Sequence, residues 1–600
     1  MMKPIAVERC IGGRDLTEPR LAPDGQTVVY AQSGAGGAAL MWQRLDGSPV
    51  RQLTSWPTPR PGRGFGGGCW CWLPDSSAVV YSGSDGNLWL QPVGAGGPRQ
   101  LTDAADVTAE RPAQAPEVSP DGQWVVYVID QAEVWATSLS DGTSRRMDPG
   151  SADFCFDPQV ATCSTTVFWH AWNVPDMPWD RSRMQRATFD GEISDEFQPA
   201  GGIQQIRNMP DGEGIWIRDD HGYNNIWIGD QPLVEEPFEH AGPSWGLGQR
   251  SFALSPDGTQ VAFTRNEQGF GRLCVVDVAT RTVTEVARGV HGQLSWVGTH
   301  LAALRSGAKT PTQVVLYDTQ SWTRRVLAVG PVTGWEDENL VEPELLTIEA
   351  TDGTPIHGRL YRANSDTQRV LVCVHGGPTD QWQVTFMPRI AYWRALGWHI
   401  LVPDFRGSTG HGRQYQQAMN GRWGELDVSD VADFVRHGHA MGLADAARTA
   451  LMGGSAGGFT ILGVIAQHPE LVAAAAVSYP VCDLFDLSER SHRFERHYNL
   501  SLVGPHPESA TSPGPYFDRS PTNFAPQITT PLLVMHGDSD AVVPVGQSQQ
   551  LVERMTTLRA PVELHIYPGE GHGFRQPLNQ LDEYRRIQVF LSEHITPGRV

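Results

Sequence analysis

The residues best suited to chemistry are Gly453-Gly454-Ser455-Ala456-Gly457-Gly458, directly after an apolar run and before a helical pattern. Gly-x-Ser-x-Gly at a strand-to-helix turn lifts a serine hydroxyl above a sheet, with the positive helix end beneath it. The turn is so tight that only small side chains fit beside the serine. Ser455 is therefore the expected nucleophile. Its hydroxyl attacks a carbonyl only if a base takes the proton, and an acid must hold that base in the right tautomer. His572 lies between glycines in Gly571-His-Gly-Phe574, free to lean over the serine. The acid is expected between the two in chain order, in His536-Gly-Asp-Ser-Asp-Ala-Val-Val-Pro544. Asp538 and Asp540 both qualify there, and periodicity does not separate them. The negative oxygen that develops on attack needs two aimed donors. The Ala456 N–H is one, and the loop His375-Gly-Gly-Pro378 is expected to supply the other.

These loops need a scaffold. From about Leu345 onward, buried strands read as Val370–Val374, His399–Pro403, Ala450–Met452, Ala474–Ser478, Leu532–Met535 and Glu563–Ile566. Helical patterns lie near Asp427–His439, Gly457–Gln467 and Leu581–Glu593, and Gly353 to Arg362 reads as an opening antiparallel hairpin. Strands alternating with helices imply a largely parallel sheet, covered on both faces. The second half thus reads as an α/β-hydrolase domain.

The first half repeats itself. Leu21-Ala-Pro-Asp-Gly-Gln-Thr-Val-Val-Tyr30, Val118-Ser-Pro-Asp-Gly-Gln-Trp-Val-Val-Tyr127 and Leu254-Ser-Pro-Asp-Gly-Thr-Gln-Val-Ala-Phe263 are copies. Weaker ones start at Leu73 and Met209, and degenerate ones are read at Phe156-Asp157-Pro158 and Ser295–Gly298. Pro-Asp-Gly makes a tight turn and the β-branched run after it a strand. A period of about 40–50 residues with strand-like segments marks a β-propeller. Seven blades fit residues about 15–330, with six or eight as alternatives. Phe168–Trp179 breaks the pattern with its aromatics and prolines, and reads either as a packed loop between blades or as a wall of the substrate cavity, contributed by Trp172 and Trp179.

Composition narrows the function. Six hundred residues exceed what one core supports. The expected domains are an N-terminal segment 1–20, a propeller at 21–335 and the catalytic domain at 336–600. Acidic groups outnumber basic ones, 67 to 46, which disfavours nucleic-acid partners. No apolar run of about 18 residues occurs, so no membrane span is expected. Met1–Arg9 lacks the apolar core of a secretory signal, and the chain reads as cytoplasmic. Eight scattered cysteines form no zinc pattern; no cofactor or metal is implied.

A propeller of Pro-Asp-Gly repeats followed by these motifs resembles the prolyl oligopeptidase family of serine peptidases, and within it the acylaminoacyl-peptidase branch. The likeness runs through His375–Pro378, Asp404-Phe-Arg-Gly-Ser-Thr-Gly410, Gly453–Phe459, His536-Gly-x-x-Asp-x-x-Val-Pro544 and Gly571–Phe574, in order. The resemblance implies that Asp540 is the triad acid, that Gly377 is the second oxyanion donor, that the propeller limits entry to short peptides, and that the N-terminal segment 1–20 packs on the hydrolase domain. Two departures stand out. Ala541 occupies the position where many relatives carry an arginine that holds a substrate carbonyl. Glu235-Glu236 is followed by Pro237 and reads as a solvated turn, so dipeptidyl specificity is not supported.

The expectation is a serine exopeptidase or oligopeptidase, acylaminoacyl-peptidase-like, cleaving short peptides through an acyl-enzyme. Arg490, Arg493 and Arg496, with Arg406 and Arg575 in motif loops, offer guanidinium groups that could grip a free C-terminal carboxylate. That alternative is a carboxypeptidase. An esterase, or a propeller binding platform with an inactive hydrolase domain, are the others. Short peptides are the expected partners, and a homo-oligomer stays open.

Overall fold

In the computed structural model the described residues are 5–34, 36–62, 65–102, 107–191, 193–330, 334–364 and 367–595. They divide into two units. One holds the residues up to Gly12, then Gly334–Trp382 and the chain from Met387; the other holds Gly13 to the end of the repeats, with Gln383–Phe386.

The repeat unit is a seven-bladed β-propeller: seven four-stranded antiparallel sheets, each in chain order, from Asp15 to Val329. Pro-Asp-Gly forms the hairpin between a blade's first and second strands, as at residues 23–25 between Asp15–Leu21 and Thr27–Gly34. The aspartate is favoured because its carboxylate accepts the backbone N–H two residues on: Gln26 to Asp24 at 2.9 Å, Gln123 to Asp121 at 3.0 Å, Thr259 to Asp257 at 3.1 Å. Side chains of the second strands form the inter-blade cores, with Val29, Val80 and Val125 fully buried.

Three expectations need correction here. Phe156-Asp157-Pro158 is no hairpin turn but lies within the first strand of the fourth blade, Phe154–Val160. The first half of the aromatic run is no break either, while residues 173–179 lie in the connection to the blade's third strand. Thr166–Trp172 is that blade's second strand, paired with Phe154–Val160 and Arg183–Thr188. The strand is buried on both faces, so it lacks the alternation that betrays a half-exposed strand. Lastly, the first propeller strand begins at Asp15, inside the segment assigned to the N-terminal extension. Within residues 1–20, positions 1–4 lie outside the described residues. The short helix Val7–Ile11 belongs with the hydrolase unit, where Arg9 bonds Glu338 and Glu8 pairs with Arg585 at 3.1 Å.

The hydrolase unit is built on one eight-stranded sheet. Its strands are β1 (Glu344–Glu349), β2 (Pro355–Tyr361), β3 (Val370–Val374), β4 (His399–Asp404), β5 (Thr449–Gly454), β6 (Ala474–Ser478), β7 (Leu532–Gly537) and β8 (Val562–Tyr567). Their spatial order is β1-β2-β4-β3-β5-β6-β7-β8. β1 and β2 form the antiparallel hairpin, β2 runs antiparallel to β4, and all later pairs are parallel. The helices that matter below are α1 (Leu426–Ala440), α2 (Ala456–Gln467) and α3 (Pro577–His594). α2 is apolar all round and buried from Ala456 to Ala466, as a helix in the middle of a doubly covered sheet must be. All eight cysteines are free. Among the described residues no helix is long and apolar enough to cross a membrane.

Candidate active site

Ser455 sits between the end of β5 and the first residue of α2, at φ 56° and ψ −128°. An L-residue is strained at positive φ, and the turn holds because its surroundings leave no alternative. The Ser455 N–H donates to Ser478 O on β6 at 3.1 Å, and its carbonyl accepts the Phe459 N–H at 3.1 Å. At Gly457 a Cβ would lie 2.4 Å from Val374 O and 2.6 Å from His375 O. No side chain fits there, which gives the motif its small residues a physical cause.

The ring of His572 reaches the serine from the loop after β8. Its Nε2 lies 2.9 Å from Ser455 Oγ and its Nδ1 lies 2.7 Å from Asp540 Oδ2. Asp540 follows β7, and its side chain is fully buried. Burial pushes its carboxyl up, but the bonds to His536, His572 and the Val543 N–H outweigh that and hold it well below the usual range. Oδ1 accepts the N–H groups of Val542 and Val543 at 2.8 and 2.9 Å, leaving Oδ2 for the imidazole. Asp538 is exposed and accepts the Gly569 N–H at 2.8 Å. Geometry therefore separates two acids that spacing left equal.

Two further residues brace this arrangement, and the sequence reading passed over both. His536 is fully buried, with Nδ1 2.8 Å from Ser548 Oγ and Nε2 3.0 Å from Val543 O, which clamps the loop carrying Asp540. Glu570, 2% exposed, accepts the N–H groups of Arg575 and Gln576 and the Asn579 amide, all within 2.9 Å. It ties the His572 loop to the start of α3. His536 opens one quoted motif and Glu570 immediately precedes another, so closeness to the catalytic residues in the chain was the available signal. Tyr479, at φ 40°, lays its ring 4.6 Å from that of His572, and burial pushes its hydroxyl up to about 12.

The His375–Pro378 loop abuts the serine turn: a Cβ on Gly376 would be 3.3 Å from Ser455 Cβ and 3.9 Å from Ala456 N. Gly377 has φ 123°, a conformation that only glycine takes without strain. Among the described residues neither the Gly377 nor the Ala456 N–H donates to another protein group. Two unused donors beside the serine can stabilise a developing oxyanion. Behind them, His375 is fixed by Ser408 Oγ at 2.8 Å and stacks on Phe405. Below, Arg359 grips Asp404 with two hydrogen bonds in a fully buried pair.

The residues proposed to hold substrate are placed differently. Arg406 is no ligand grip: its side chain, 7% exposed, is held by Asp430 through Nε and Nη2 and by Asp352 through Nη1. Its motif position reads as catalytic, yet it is a buried strut between β4 and α1. Arg490, Arg493, Arg496 and Arg575 are exposed. Arg490 pairs with Asp486 one helical turn earlier at 3.0 Å, and Arg496 donates to Glu489 O at 2.9 Å. Trp172 stacks on Phe154 at 5.0 Å, and Trp179 packs against Trp245 at 4.7 Å. At 1% and 6% exposed they are packing residues, not a cavity wall. Of the Glu235-Glu236 pair, Glu235 is exposed beside His221, whereas the half-buried Glu236 pairs with His240 and Arg265. The one group of metal-ligand type among the described residues, Glu563, Glu593 and His594, is surface-exposed to half-buried.

The prolyl oligopeptidase family profile matches residues 384–598. The hydrolase domain belongs to the prolyl oligopeptidase family. It is accordingly a serine-peptidase-type hydrolase domain, preceded by the propeller described above. The chain is similar to dipeptidyl peptidase family member 6 of Caenorhabditis elegans, 30% identical over 42% of this chain and 34% of that one. It is also similar to acylamino-acid-releasing enzyme 1 of Oryza sativa subsp. japonica, 28% identical over 39% of this chain and 31% of that one. The match thus spans about a third of these curated relatives. A solved puromycin-hydrolyzing peptidase of Mycobacterium tuberculosis is similar over 100% of this chain and 99% of its own, at 26% identity and TM-score 0.89.

Proposed function

We propose that the protein is a serine exopeptidase of the acylaminoacyl-peptidase type, cleaving short peptides through an acyl-enzyme. The observation that carries this reading is the continuous pair of contacts from Asp540 through His572 to Ser455, at 2.7 and 2.9 Å. In the proposed cycle Ser455 Oγ attacks the scissile carbonyl as His572 Nε2 takes its proton. Asp540 keeps Nδ1 protonated and stabilises the imidazolium. The Gly377 and Ala456 N–H groups receive the oxyanion, and His572 returns the proton to the leaving amine. Water, activated by the same imidazole, then releases the acyl group.

Relatives named for releasing acylamino acids and for hydrolyzing puromycin support recognition of the residue that ends up on Ser455. The carboxypeptidase alternative loses one of its two motif-loop arginines, because Arg406 is occupied by two carboxylates. The reading is tested with four substrates sharing one side chain: an acetylated dipeptide, its free-amine form, the C-terminal amide of the acetylated form, and puromycin. It requires that kcat/KM depend on the N-terminal group and change little on C-terminal amidation. A strong loss on amidation alone would return the carboxypeptidase reading.

A further inference from the structure

Five inner propeller strands carry a residue at positive φ, Glu18, Ala115, Asp157, Gln205 and Gln293, and in the other two blades Gly68 and Gly248 take positive φ shortly before the inner strand. In five blades the strand register slips at this point, marking a β-bulge. The bulges turn these residues across the propeller axis, where they bond one another's backbones. Glu18 accepts the Cys69 N–H, Asp157 the Gly248 N–H and Gln205 the Ser251 N–H, while Gln293 donates to Phe65 O and Gly248 O. Gly67 N also reaches Leu247 O, joining the second blade to the sixth across the middle.

Two residues beyond the positive-φ positions 18, 205 and 248 stand Arg20, Arg207 and Arg250. They come from the first, fifth and sixth blades, yet the charges of Arg20 and Arg207 both act on Arg250, and those of all three act on Asp157. Side chains from such separated blades converge only at the axis. Their pairing is poor. The carboxylates that could neutralise them are taken by backbone N–H groups: Glu18 by Cys69 and Gly62, Asp157 by Gly248. Arg20 comes no closer to Glu18 than 3.6 Å, and Arg250 no closer to Glu117 than 3.5 Å. Arg207 makes no ion pair among the described residues and donates to the carbonyls of Ile206 and Gln249.

Arg20 is the decisive member. It is 7% exposed, its guanidinium covers the Trp70 ring at 5.3 Å, and it donates no hydrogen bond among the described residues. Its Nε–H is buried and meets no acceptor, which is costly unless something accepts it. Burial and the two neighbouring arginines pull Arg250 down to about 9, so an added anion beside it would favour its charged form. Solvent still reaches it, since the Arg250 and Glu117 side chains are 21% and 29% exposed.

We propose that Arg20, Arg207 and Arg250 form an oxyanion-binding site on the propeller axis, which takes the carboxylate of a short peptide. The fork of a guanidinium matches a carboxylate or a phosphate equally well. Assigning a peptide carboxylate rests on the peptidase reading above, whereas the site itself rests on propeller geometry alone.

The test is titration calorimetry of the full-length protein at pH 7 and low salt. The probes are inorganic phosphate, an all-D tri-alanine that resists hydrolysis, and its C-terminal amide. Phosphate and the free-acid peptide are expected to bind and compete, with the amide at least about tenfold weaker. Arg207→Gln and Arg250→Gln are each expected to weaken phosphate about tenfold or more, and Glu117→Gln, which removes a competing carboxylate, to tighten it. Arginine-dependent phosphate binding that the peptide does not displace supports the site and assigns it to a free anion. That result leaves the peptidase reading untouched. Absence of saturable phosphate binding, equal affinity in the parent and both arginine variants, or no tightening in Glu117→Gln overturns the site.

Discussion

Asp540 Oδ2 lies 2.7 Å from His572 Nδ1, whereas Asp538, two residues earlier on the same loop, turns away to the Gly569 N–H. One carboxylate is buried beneath the imidazole and the other faces solvent. Asp540→Asn is expected to lower kcat by about 10⁴, through the wrong imidazole tautomer. Asp538→Asn is expected to stay within about tenfold of the parent, since only a loop hydrogen bond weakens. Steady-state kinetics on one peptide compares them directly, and the reverse order would reassign the acid.

Gly377 should be sensitive in kcat rather than KM. At φ 123° an alanine is strained, and its Cβ would meet Thr379 N at 2.9 Å. Gly377→Ala is therefore expected to displace one oxyanion donor and cut kcat by about 10²–10³ while KM moves little. A change confined to KM would place the residue in ground-state binding instead.

Arg406 should matter for folding, not for substrate ends. Arg406→Gln leaves the fully buried Asp430 carboxylate without its cation, a loss of about 3–5 kcal/mol. A lowered denaturation midpoint is expected, with an unchanged rate ratio between free-acid and amidated peptides. A ratio that shifts with this variant would put Arg406 in contact with substrate.

Asp427 gives the fold a pH dependence with a defined sign. On α1 it is fully buried, accepting Thr460 Oγ1 at 2.5 Å and the Gly424 N–H at 2.7 Å. Burial pushes its carboxyl up to about 6 from 3.8. A carboxyl raised in the folded state contributes stability that is complete below its unfolded value and is lost as pH climbs through about 6. The loss is of order 3 kcal/mol. Compared with the parent, Asp427→Asn should therefore gain stability between pH 4 and pH 7.5 in urea unfolding. A constant difference across that range would contradict the assignment.

Much of this architecture is legible in the residues. The strong Pro-Asp-Gly copies mark hairpins because proline and the aspartate side chain encode that turn locally. The hydrolase strands fall within a residue or two of their apolar runs, since parallel strands buried on both faces are nearly continuous in apolar residues. What stays hidden depends on distant partners. Glu18-Pro19 looks like the end of an extension, yet Glu18 is a bulge whose backbone is set by the axis of the propeller. Arg406 looks catalytic because its loop is, and only folding brings Asp352 and Asp430 to it. Thr166–Trp172 is obscured because both of its faces are apolar.

The central claim is that Ser455 is the activated nucleophile. Intact-protein mass spectrometry after reaction with a fluorophosphonate tests it most directly, with the site read by peptide mapping. One adduct per chain is predicted, on the peptide containing Ser455, with loss of peptidase activity in step and no adduct in Ser455→Ala. An adduct on another residue, or full peptide hydrolysis by Ser455→Ala, would contradict the account.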